Sequence, residues 1–112
     1  MNESIYVITS FYIGFNSRGE RVKINEKMVW CSEKEEAIKF IQDPYNMEYF
    51  VRNYCRYVVI EEVQKLYGIV KAIGWWVAEY KEGNIYPKMV KLGKCPIDNY
   101  EEEEESIIKL VV

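Results

Sequence analysis

The sequence predicts an α+β fold: a single, mostly antiparallel sheet of five to six strands with one or two helices packed on one face, in the order β-β-α-(α)-β-β-β-(β). Isoleucine and valine far outnumber leucine and alanine, a bias that favours strands because β-branched side chains pack well on a pleated surface. Several segments alternate side chains with a period of two between Gly, Asn and Pro turn signals, and one stretch after residue 31 changes to helical spacing behind a capping signal. No repeat or linker composition divides the chain. Its 112 residues are expected to form one domain, 1–112, able to hide roughly two-thirds of the surface of the unfolded chain.

From Ile5 to Phe15, the series Ile5, Val7, Thr9, Phe11, Ile13 and Phe15 alternates with Tyr6, Ile8, Ser10 and Tyr12, giving apolar character on both faces. That pattern belongs to a central or well-covered strand. Asn16 to Gly19 reads as a turn, and Arg21 to Trp30 as the returning hairpin strand, with an interruption at Asn25-Glu26. Ser32-Glu33-Lys34-Glu35 matches a capping box, in which the Ser32 hydroxyl accepts the N3 amide and Glu35 reaches back. The helix that follows has an acidic first turn and an apolar side of Ala37, Ile38, Phe40 and Ile41. Asp43-Pro44 ends it and opens a second short helix as N-cap and N1, with Met47, Phe50, Val51 and Tyr54 at i, i+3, i+4 and i+7.

Arg56 to Gln64 is a further strand, with Val58 and Ile60 on one face and Tyr57, Val59 and Val63 on the other. A turn near Leu66-Tyr67-Gly68 returns the chain through Ile69 to Tyr80, with a bulge at Gly74. Glu82-Gly83-Asn84 leads into Ile85 to Leu92, which must lie at an edge or break at Pro87, since proline has no ladder N–H to donate. After a loop from Gly93 to Tyr100, the run Glu101 to Glu105 precedes Ile107 to Val112. That apolar end suits a last strand, added to this sheet or to the sheet of a second copy.

The chain contains no histidine, which removes imidazole as general base, proton shuttle or metal ligand. No phosphate-binding glycine loop or nucleophile elbow takes its place. Cys31, Cys55 and Cys95 are odd in number and widely spaced, a pattern that suits reduced thiols in a cytosol and no structural metal or cofactor. The net charge of −3 owes much to the glutamate run, so the rest of the chain exerts no general attraction on nucleic acid or an anionic membrane. No apolar run approaches the roughly 20 residues of a membrane span, and no signal-peptide order opens the chain, so a cytoplasmic protein is expected. Thr9 is the sole threonine, and Gln42 and Gln64 are the sole glutamines, against 29% charged residues. That bias fits a thermophilic source, and a low-GC genome would produce it too.

Ten tyrosines and three tryptophans exceed what a core of this size can hide with their OH and NH groups satisfied, so an aromatic interface is expected. Trp75 and Trp76 must point to opposite faces of a strand, which leaves one indole for a partner. With Tyr80 and Tyr86 across the Gly83 hairpin it would form a platform for a base or a protein, unless these rings simply cover a second sheet face. Lys88, Lys91 and Lys94, with Lys65 and Lys71 on neighbouring strands, read either as a nucleic-acid patch or as charges that protect an edge. Cys31, just before the Ser32 cap, would gain thiolate character from the helix terminus; its plainer role is to pack under the helix. The glutamate run could present closely spaced carboxylates to a basic groove, or simply be a solvated, self-repelling stretch. Glu35-Glu36 and Glu61-Glu62 diverge on a helix or a strand and make no catalytic dyad.

The expected function is therefore non-enzymatic binding through Trp75, Trp76, Tyr80, Tyr86, Lys88 and Lys91, with a protein partner or a second copy of the chain as occupant. One concrete form is an accessory protein of a virus or mobile element that occupies a host protein in the host-cell cytoplasm. The alternatives are a nucleic-acid-binding module on the strands from Lys65 to Lys94 and, furthest from the composition, an enzyme built on a cysteine.

Overall fold

Two antiparallel hairpins flank a helical pair in the computed structural model, which describes residues 3–51, 55–83 and 85–97, without the side chains of residues 26, 27 and 51. The elements are β1 (Ser4–Phe15), β2 (Arg21–Cys31), α1 (Lys34–Gln42), α2 (Pro44–Val51), β3 (Tyr57–Gln64), β4 (Gly68–Glu79) and β5 (Lys88–Leu92). The five strands form one sheet in the order β2-β1-β3-β4-β5, every neighbouring pair antiparallel, so the architecture is α+β. The expected strand at Ile107 to Val112, and the glutamate run before it, lie outside the described residues. No helix among those residues is long and apolar enough to cross a membrane.

The β1–β2 turn is held by Asn16, whose side-chain oxygen accepts the amides of Arg18 and Glu20 at 2.9 and 3.0 Å, while Gly19 takes φ +78°, open to residues without a Cβ. The interruption at Asn25-Glu26 is a bulge: Ser10 pairs with Lys27 and Phe11 with Asn25, leaving Glu26 as the extra residue. In β4 the bulge falls one residue before the expected Gly74, because Ile60 pairs with Gly74 and Glu61 with Ala72, so Ile73 is the extra residue. Gly74 has another reason to be glycine. A Cβ there would lie 2.8 Å from Cη2 of the Trp76 indole and 3.2 Å from Cε of Lys91. β5 is shorter than Ile85 to Leu92, starting at Lys88 directly after Pro87 and, among the described residues, lying at an edge of the sheet, where a missing N–H is tolerated.

The capping box at Ser32 does not form. The N-cap of α1 is Glu33, with no side-chain cap, and the Ser32 hydroxyl turns instead to the Glu36 carboxylate at 3.5 Å. Asp43 does cap α2: its carboxylate accepts the Tyr45 amide at 3.0 Å, its carbonyl accepts the Met47 amide at 3.2 Å, and Pro44 occupies N1.

Both helices lie on one sheet face. Ala37, Ile41, Met47 and Phe50 pack on Ile8, Val58, Ile60 and Trp76 there. The opposite face carries Phe11, Val59 and Trp75, with Ile97 and Cys95 packed over them from the segment after β5. Phe11 stacks on Tyr57 with ring centroids 5.5 Å apart and meets Trp75 edge-on at 5.9 Å. On the same face Lys23 and Glu61 form a buried ion pair at 3.6 Å, and the Lys23 ammonium stands 5.8 Å from the Phe11 ring centre.

Gly74→Ala is expected to lower stability by about 1–3 kcal/mol, the usual cost of overpacking a filled site. Denaturant unfolding at unchanged m-value checks this, and a stability equal to wild type would show that Trp76 and Lys91 yield without cost.

Candidate functional site

The one indole expected at the surface, as part of a platform with Tyr80 and Tyr86, is not there. Trp75 and Trp76 do point to opposite faces, but both faces are covered there, and the residues are 4% and 7% exposed. The physical reason is that β4 is an interior strand, with the helices on one side and the Cys95–Ile97 segment on the other. Lys91 meets Trp76, with its ammonium 5.8 Å from the ring centre, and serves as a lid on that indole. Tyr80 is exposed one residue beyond β4. Lys88 and Lys91 pair with Glu79 and Trp76 and, three residues apart on a strand, project to opposite faces, so the lysines of β5 do not form one basic stripe.

Tyr86 and Lys88 instead line a cleft of about 300 Å³ with Gln42, Pro44, Ile85 and Pro87. Its floor is set by two corners of the chain. At the α1–α2 corner, the Asp43 amide donates to the Phe40 carbonyl at 3.3 Å, and the Asn46 side chain donates to the same carbonyl at 3.1 Å. Those bonds, with the Asp43 cap, fix the first turn of α2 and therefore Tyr45. At the other corner Pro87 is buried at fixed φ immediately before β5, and Gly83 turns the preceding loop at φ +88°. The Tyr45 and Tyr86 rings close across the gap, 4.6 Å between centroids at 48°. Tyr45 is 67% exposed and Ile85 84%, and Tyr49, one helical turn from Tyr45, is also exposed.

Tyr45 and Ile85 were not among the residues singled out from the sequence. The signal was present for Tyr45: with Met47 and Phe50 taken as the buried side of α2, residues 45 and 49 fall outside it. Trp30 was missed as well. It is 67% exposed near the end of β2, on the same face as Met28, which is 65% exposed.

The candidate chemistry on Cys31 is opposed by its surroundings. Cys31 is half-buried at the end of β2, packed against the helix-side core, and burial followed by the Glu36 carboxylate raises its thiol above its ordinary value. Burial likewise raises the neighbouring Tyr6 phenol, with Glu62 and Glu35 adding to the effect. No disulfide joins Cys31, Cys55 and Cys95. Glu61 and Glu62 diverge as expected. Glu61 pairs with Lys23 on one face, and Glu62 on the other accepts the Ser4 hydroxyl at 2.9 Å and lies 3.9 Å from the Lys71 ammonium. No group of three potential metal ligands is found among the described residues.

Comparison of the chain with models of protein families, with curated proteins and with solved structures finds no match in any of the three.

Because the raised group is a thiol, its nucleophilic form is depleted at neutral pH. Peptide-resolved alkylation of Cys31 across pH is expected to give a midpoint above that of an ordinary thiol, moving down in Glu36→Gln. A midpoint below the ordinary value would restore Cys31 as a nucleophile.

Proposed function

We propose that this chain is a non-enzymatic binding protein that presents the tyrosine cleft between the α1–α2 corner and Pro87 to a protein partner. The observation that carries this reading is the pairing of exposed Tyr45 with Tyr86 over a cleft held by two rigid corners. Tyrosine offers a large amphipathic contact with little conformational freedom to lose, and a fixed rim keeps the ordering cost of binding low. Pro44, Pro87 and Ile85 add apolar surface, and Lys88 is the one cation among the described residues of the lining, a composition suited to a protein segment with apolar anchors. The nucleic-acid alternative has weaker support, because the β5 lysines divide between two faces.

Affinity capture from extracts of the source cells, comparing wild type with the double variant Tyr45→Ser/Ile85→Ser, tests the reading. Both positions are exposed, so the fold should survive the change. A specific protein retained by wild type and bound about tenfold more weakly by the variant is expected, in line with the loss of one aromatic anchor. An identical set of captured proteins for both would refute the cleft as the contact surface. Salt-dependent retention of a labelled single strand by both would favour the nucleic-acid alternative.

A further inference from the structure

We infer that the occupant of the tyrosine cleft is a proline-rich segment of a partner protein, bound as a polyproline II helix. The inference rests on the reading of this cleft as a protein contact and names the chemistry of what it holds.

A peptide segment engages a folded domain in a small number of ways, and the walls of the cleft oppose most of them. Addition of a strand needs a row of outward backbone N–H groups. Pro44 and Pro87 line the cleft and have no N–H to give, and the adjoining β5 carries Lys88 and Lys91, which discourage another strand. An amphipathic helix needs a long trough for anchors at i, i+3, i+4 and i+7. This cleft holds about 300 Å³, with Gln42 and Lys88 interrupting its apolar lining. A phosphorylated or acidic motif calls for a cluster of arginines, and Lys88 is the one cation among the described residues of the lining.

A polyproline II segment meets none of these obstacles. It has no internal hydrogen bonds, so its carbonyl oxygens point outward, while its prolines bring no donors of their own. The cleft is complementary to that pattern. Gln42 and Lys88 bring side-chain N–H donors to the lining, and no carboxylate is among the described residues there to repel the carbonyls. Flat apolar surface for the pyrrolidine rings comes from Tyr45 and Tyr86, whose rings meet at 48°, with Pro44 and Pro87 beside them. Tyr49, exposed one helical turn beyond Tyr45, extends the aromatic side along α2. Both partners are stiff before they meet: the Asp43 cap fixes the start of α2, Pro87 has a fixed φ, and a proline-rich segment is already extended. The ordering cost of contact is correspondingly small.

Fluorescence anisotropy on the full chain tests this with two labelled pools of short peptides, one carrying proline at the first and last positions of a four-residue motif, the other with glycine in place of each proline. Wild type is expected to bind the proline pool and not the glycine pool, with little change between low and high salt, because no ion pair is formed. Tyr45→Ser/Ile85→Ser should weaken that binding about tenfold, and Gln42→Leu about fivefold through the loss of one donor, while circular dichroism stays unchanged. Equal binding of the two pools, binding of neither, or binding indifferent to these substitutions would overturn the inference. Its failure is separable from that of the cleft itself. If the proline pool does not bind but capture of a protein from extracts still depends on Tyr45 and Ile85, the cleft holds a segment of other chemistry; if capture is independent of them too, both readings fall.

Discussion

Burial of both faces of the β1–β3 pair is the constraint on which the rest of the structure depends. Ile8, Val58 and Ile60 project into the helices, while Phe11 and Val59 project to the other side, and all five are inaccessible to solvent. A sheet so short of one-sided strands needs cover on each side. The two helices supply it on one face, and the Cys95–Ile97 segment supplies part of it on the other, with Ile97 only 5% exposed. The Lys23–Glu61 pair exists under the same constraint. Buried charges must be matched, and taking away one partner typically costs about 3–5 kcal/mol because the other is left uncompensated.

The same constraint explains what could and could not be read in the sequence. The doubly apolar alternation from Ile5 to Phe15 signals a strand paired on both sides, and β1 has β2 and β3 as neighbours. Turns at Gly19 and Gly68 and the break at Pro87 follow from single-residue backbone limits, so they were legible. The start of α1 was off by one residue because Ser32 has two uses for its hydroxyl, and it is directed at Glu36 instead of a backbone amide. The aromatic site was misplaced for a deeper reason. Period two assigns Trp75 and Trp76 to opposite faces but says nothing of what covers those faces, which depends on strand order and on the segment after β5. Trp30 shows the converse: its exposure follows from β2 being an edge, a fact of topology that local periodicity does not contain.

The consequence is a division of labour among aromatic residues. Phe11, Tyr57, Trp75 and Trp76 hold the interior, whereas Trp30 and Tyr45 sit where the sheet margin and the helix corner leave them exposed. The latter two also rest on stiff supports, a ladder-bonded strand and a capped helix start. Rigid exposed rings lose little freedom on contact, which links the double-faced core to the binding role proposed for the surface.

Native-state hydrogen exchange resolved by residue tests the core constraint most directly. The slowest amides should lie in β1 and β3, exchanging only through global unfolding, with the Asn16–Glu20 turn opening far more readily. If β1 and β3 amides exchanged as fast as those of the turn, the two-sided burial of this strand pair would not be what holds the protein together.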